Sequence, residues 1–246
     1  MGLSFPQLPF GFDELEPAMS QDTLSFHYTR HHLDHFERAA TLAPEAGYTH
    51  LQLALLQALA GNLDAAERSA REAVGLQQKA MSGTQGLIVV GAHTRLGYVH
   101  YLRGRYDEAI REYHRELNFL TVTDHALRDR SIIEVTQKLS AANLRLGKEG
   151  EARELADRAI EIFNSRLATG ADDPSTRYYL AAVYAMRDDI EPMLQHLARP
   201  LAELGPFTRW RLPRDPDFSG VLAHPSVAAV LVGEDRPVAP SAGVIV

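Results

Sequence analysis

The chain has 246 residues, 45% of them hydrophobic and 23% charged, a balance that supplies a core and excludes a wholly disordered polypeptide. Its formal charge of -7, from 25 basic against 32 acidic residues, argues against nucleic acid or an anionic membrane as the main partner, since both recruit clustered positive charge. With no cysteine, disulfides, thiolate catalysis, cysteine-bound zinc and iron–sulfur clusters are excluded, so any metal must be held by histidine and carboxylate.

The first residues carry no basic stretch ahead of an apolar run, which is not the pattern of a cleaved export signal. No window approaches the roughly 18 to 20 apolar residues of a membrane span, so the expected location is cytoplasmic. Chemistry concentrates between Phe26 and Phe36, where four histidines fall within nine residues. On a helix, His27, His31 and His35 form one stripe at steps of four, and adjacent imidazoles can reach a common ion. Two such nitrogens make half a metal site; a solvated polar face is the alternative reading.

The run Leu8-Pro9-Phe10, Leu15-Glu16-Pro17, Ser20, Thr23, His27-Tyr28 and His31-His32 resembles, in order and spacing, the N-terminus of iron/manganese superoxide dismutases, over about residues 3–36. The resemblance implies that His27 is a metal ligand and that His31 lies beside a substrate funnel and a dimer contact. It also has limits: His35 stands where that family has a funnel tyrosine, and Ala18 where it has a histidine after Leu-Glu-Pro. The Asp-x-Trp-Glu-His signature that supplies further ligands in the family is absent, for the one tryptophan, Trp210, is followed by Arg211-Leu212-Pro213. The segment therefore reads as a helical start that caps the apolar face of the next helices in the chain. Iron, manganese or zinc are the metals its histidines would take, and a homodimer could form through it.

Beyond it the chain repeats. Gly61-Asn62-Leu63-Asp64-Ala65-Ala66, Gly104-Arg105-Tyr106-Asp107-Glu108-Ala109 and Gly147-Lys148-Glu149-Gly150-Glu151-Ala152 recur 43 residues apart, each with a residue that suits helix packing four positions after the alanine (Ala70, Tyr113, Ala156). A fainter copy runs from Asp188 to Met193. Each unit predicts two amphipathic helices across a glycine turn, the glycine sitting where a helix end wants a left-handed residue. Leu96-Gly97, Gly104, Tyr106, Ala109 and Tyr113 resemble tetratricopeptide repeats. The usual unit of about 34 residues is lengthened here by links such as Met81–Thr84 and Thr121–Asp124. His50 and His93 occupy equivalent positions and are expected to pack inside their hairpins. No glycine-rich phosphate loop, His-Glu-x-x-His or Gly-x-Ser-x-Gly occurs.

The expected fold is all-α: a right-handed α-α superhelix of four tetratricopeptide-like hairpins with an N-terminal helical cap and an irregular C-terminal closing segment. The expected divisions are a dismutase-like extension and cap over 1–44, repeats over 45–204, the closing segment over 205–232 and a disordered tail over 233–246. The first helices of the hairpins should line a concave groove through Tyr48, Leu51 and Leu55, then Thr94, Tyr98 and Tyr101, then Glu134, Gln137 and Arg145, and finally Tyr178. Tyrosines with an arginine suit a peptide or protein ligand. The leading functional expectation is thus a non-catalytic adaptor without cofactor, and the alternative is a His-coordinated metal protein or metalloenzyme using His27, His31 and His35.

Overall fold

A computed structural model of the chain describes residues 33–83 and 88–232. His27 and His31, and the tail from residue 233 onward, lie outside the described residues. Among the described residues every regular element is helical, as the sequence predicts. The described part of α1 covers 33–42. It is followed by α2 (Gly47–Leu59), α3 (Leu63–Met81), α4 (Ala92–Leu102), α5 (Tyr106–Val122), α6 (Arg128–Arg145), α7 (Glu149–Ala168), α8 (Pro174–Met186), α9 (Ile190–Arg211) and α10 (Pro225–Val232).

The helices form where apolar and small residues recur at steps of three and four. In α5, Ala109, Tyr113, Glu116 and Leu120 face inward while Arg111, His114, Arg115 and Asn118 face solvent. Asp107 and Glu108 stand in its first turn, where negative charge complements the helix dipole. In α8, Asp173 accepts the Thr176 backbone N–H at 3.0 Å ahead of Pro174, a capped and preorganised start.

The predicted turns are built by one device. Gly61, Gly104 and Gly147 have φ of 85°, 72° and 74°, and the N–H after each donates to a carbonyl of the preceding helix: Asn62 to Gln57 at 2.8 Å, Arg105 to His100 at 2.9 Å and Lys148 to Asn143 at 3.0 Å. This arrangement satisfies carbonyls that the helix end leaves unpaired. The faint fourth copy uses Asp188 in the same left-handed conformation (φ 60°), with Asp189 N–H donating to Tyr184 at 3.0 Å. Aspartate tolerates that region better than most residues, which is why the repeat persists without its glycine.

Helices pair in sequence as α2 with α3, α4 with α5, α6 with α7 and α8 with α9, while α2, α4, α6 and α8 pack one upon the next along a shared wall. Small residues let the members of a pair approach. A Cβ at Gly97 in α4 would lie 2.5 Å from a ring carbon of Tyr113, whose side chain is fully buried, and 3.1 Å from the Ala109 carbonyl. The Leu-Gly and Tyr positions of the repeat are thus one interlocking contact.

The closing region differs from expectation. Helix α9 carries on past a kink at Leu204 (φ -132°, ψ 31°) between Pro200 and Pro206, and ends only at Arg211. Pro206 has no N–H to give the preceding turn, and across the kink the Thr208 hydroxyl donates to the Pro200 carbonyl at 3.0 Å. Two short 3-10 turns, Leu212–Arg214 and Pro216–Phe218, and then α10 complete the region. Most of the stretch expected to be irregular is therefore helical, because prolines bend this helix without ending it.

Gly97→Ala is expected to lower stability by about 1–3 kcal/mol, the usual cost of overpacking a filled interior. Gly104→Ala should cost about 1 kcal/mol through its left-handed φ alone, so thermal denaturation should rank Gly97→Ala as the more damaging of the two.

Candidate functional site

The wall made by α4, α6 and α8 ends in a cluster of charge that does not reach solvent. Lys138, near the middle of α6, Asp215 and Asp217 are 1%, 1% and 4% exposed, and Arg211 is buried with them. The two carboxylates come from the run Asp215-Pro216-Asp217-Phe218, which the second 3-10 turn lays across the wall. Asp215 caps that turn, accepting the Asp217 N–H at 3.4 Å.

Asp217 is held from two helices. Lys138 Nζ donates to its Oδ2 at 2.6 Å, Gln137 Nε2 to the same oxygen at 2.8 Å, and the Tyr101 hydroxyl to Oδ1 at 3.1 Å. Asp215 receives the Tyr178 hydroxyl at 3.2 Å and Arg211 Nη2 at 3.4 Å, with Lys138 Nζ at 3.7 Å. Arg211 stacks its guanidinium on the Tyr178 ring at 3.8 Å, and the Lys138 ammonium lies 4.6 Å from the Tyr98 ring centre. Phe218 fills the space beside Tyr178, ring centres 5.2 Å apart. At the rim, Arg145 donates to the Tyr101 hydroxyl and to the Pro216 carbonyl, both at 3.2 Å. Two cations thus balance two carboxylates.

Burial pushes the Asp215 carboxyl upward, but the cations Lys138 and Arg211 outweigh it and hold the group below its ordinary value. Burial pulls Lys138 down, and Asp215 and Asp217 more than restore it, so the ammonium is held above its ordinary value. Burial drives the Tyr98 phenol well upward, with Asp215 adding to the effect. Each of these three groups is fixed in the state it has at neutral pH. A substrate has no way in, so these charges serve to hold the chain together.

The predicted groove residues divide accordingly. Tyr98, Tyr101, Gln137, Arg145 and Tyr178 do converge on one surface, but it is covered by the chain's own C-terminal segment. Leu51, Leu55 and Thr94 are buried between helices. Tyr48 is half-buried, its hydroxyl accepting the Val90 N–H at 3.2 Å, and Glu134 pairs with Arg95 at 3.6 Å. These residues are consequently structural here and do not line an open cleft. Sequence phasing missed Lys138, Arg211, Asp215 and Asp217. The available signals were a lysine set in the apolar stretch of α6 and a doubled Asp around a proline.

His50 and His93 have partners. His93 Nδ1 lies 2.7 Å from Glu112 Oε2, across its hairpin as expected, while His50 Nε2 turns to the Pro44 carbonyl ahead of α2 at 2.8 Å. Beside His93, the buried carboxylate of Glu116 caps α4, accepting the Gly91 and His93 N–H groups at 2.7 and 2.9 Å. His35 is exposed on α1. Among the described residues no group of three or more His, Asp or Glu side chains is placed to hold a metal ion, and no helix there is long and apolar enough to cross a membrane.

Comparison with known proteins finds similarity at the other end of the chain. Residues 3–60 match the α-hairpin domain of iron/manganese superoxide dismutases. A manganese superoxide dismutase of Rhizobium meliloti is 42% identical over 53 residues, 22% of this chain and 26% of that protein. An iron superoxide dismutase of Bordetella pertussis is 36% identical over 53 residues, 22% and 28% of the two chains. A manganese enzyme of Listeria monocytogenes is 32% identical over 74 residues, 30% and 36%. The chain spans about a quarter to a third of the length of these relatives. The match continues through α2 to residue 60, past the expected division at 44. It overturns the expectation of a non-catalytic adaptor for a peptide or protein and favours the metal-dependent alternative, with iron or manganese where no cofactor was the leading expectation.

The buried charges carry a pH signature. A carboxyl lowered on folding stabilises above its unfolded pKa and loses that contribution as pH falls; a raised lysine stabilises below its unfolded pKa and loses its contribution as pH rises. The difference in unfolding free energy between wild type and Asp215→Asn, from urea titrations, should be flat from about pH 5 to 9 and shrink below about pH 4, where the unfolded aspartate also takes up its proton.

Proposed function

We propose that this protein is a His-coordinated iron or manganese protein whose dismutase-like N-terminal hairpin, with His27 as its first ligand, is mounted on a right-handed tetratricopeptide-type superhelix. The observation that carries the proposal is the continuous match over residues 3–60, within which His27 and His31 stand in the order and spacing of the resemblance. His31 and His35 come after His27 at steps of four and extend the stripe of imidazoles.

A bound iron or manganese ion would supply redox or Lewis-acid chemistry. It needs several converging ligands and groups that orient them, and the described residues do not fit that role: they contain no group of three suitable side chains. Further ligands would therefore come from the first 32 residues or from a second copy of the chain. The latter agrees with the homodimer expected through this segment. A dismutase centre of the usual composition is not part of the proposal, because the Trp-Glu-His portion of its signature has no counterpart at Trp210. What the array contributes is a rigid base: α2 is both the end of the dismutase-like match and the first helix of the first hairpin.

Untagged protein purified without chelator should contain iron or manganese at about 0.5 atoms per chain or more, the occupancy of a tight site. His27→Ala with His31→Ala should reduce it at least tenfold while leaving the helical circular dichroism unchanged. Metal content below about 0.2 in wild type, together with calorimetric titrations of Mn, Fe and Zn identical for both proteins, would rule the proposal out.

A further inference from the structure

Repeat arrays are held by contacts between neighbours, so cooperativity is passed from unit to unit and the ends communicate weakly. The segment Arg211–Phe218 departs from that rule. Asp217 is bound to Tyr101 across 116 residues and to Lys138 across 79, while Asp215 is bound to Tyr178 across 37. Three hairpins that are not all neighbours therefore share one short peptide as a common hydrogen-bond and ion-pair partner. The rim adds Arg145, which donates to the Pro216 carbonyl of the same peptide.

We propose that Arg211–Phe218 is a built-in ligand of the array, a permanent latch that fastens α4, α6 and α8 into one cooperative unit. Two features make it a latch and not a passive cover. The first is charge: the two anions paired with Lys138 in α6 are Asp215 and Asp217, both supplied by the segment and neither by an array helix. Removing the segment would thus leave an ammonium in an apolar wall, a state that costs far more than the loss of one contact. The second is geometry. Each carboxylate receives donors from an array helix and from the other cation or amide beside it, so neither helix can shift alone without breaking bonds that the others use.

Hydrogen–deuterium exchange of the full chain tests the latch. In Asp217→Asn, amides of α4 around Tyr98–Tyr101, of α6 around Gln137–Lys138 and of α8 around Tyr178 should all exchange faster, on the order of 100-fold, although residue 217 belongs to none of these helices. Faster exchange confined to residues 212–222, or no change anywhere, would overturn the proposal, since a passive cover predicts one of these two patterns. Should Asp217→Asn fail to fold, Tyr101→Phe supplies the same reading at smaller amplitude. It removes one hydroxyl and should speed exchange about tenfold in α6 and α8 as well as α4; an effect limited to α4 overturns the latch.

Discussion

The packing of the last three hairpins depends on a neutralised set of charges kept out of water. Each of Lys138, Arg211, Asp215 and Asp217 would be costly to bury alone, by several kcal/mol per ion even after relaxation. They are tolerable only as a group, with opposite charges adjacent and with Tyr101, Gln137 and Tyr178 satisfying the carboxylates' remaining lone pairs. That requirement is directional in a way apolar packing is not. A hydrophobic wall would accept many registers of the C-terminal segment, whereas a carboxylate 2.6 Å from Lys138 Nζ accepts one. The contact thus holds the returning segment in one register on the wall.

The array behind the cluster is economical in its use of small residues and left-handed turns. Alanines 54, 66, 70, 109, 142 and 156 are essentially inaccessible and let helices approach closely, while Gly97 admits the ring of Tyr113. At four successive hairpin bends the same backbone bond closes the first helix, with Asp188 standing in for glycine at the last. The repeat thus persists along the chain as geometry even where its residues have drifted apart.

The N-terminal 60 residues and the buried cluster lie in different parts of the chain. One end resembles a hairpin that, in its relatives, belongs to iron and manganese superoxide dismutases; the other gathers charges into a closed and unreactive core. Helix α2 closes the matched segment and is also the first helix of the first hairpin. Tyr101 and Tyr178, which suggested a recognition surface, are bonded instead to the protein's own C-terminal segment, which explains how they can share one wall and still be inaccessible.

The all-helical class, the 43-residue period, the glycine turns, the packed His93 and the dismutase-like start were legible in the residues themselves, because each rests on local signals: spacing on a helix, a left-handed turn, an ordered motif. The convergence of Tyr98, Tyr101, Gln137, Arg145 and Tyr178 came from phase as well. What covers them did not, since phase states which residues share a face and says nothing of which distant segment returns to it. Only the tertiary structure pairs Lys138 with Asp215 and Asp217, for a charge in a helix has many possible partners along the chain, and the choice is made by where prolines at 200, 206, 213 and 216 steer the backbone after the last hairpin.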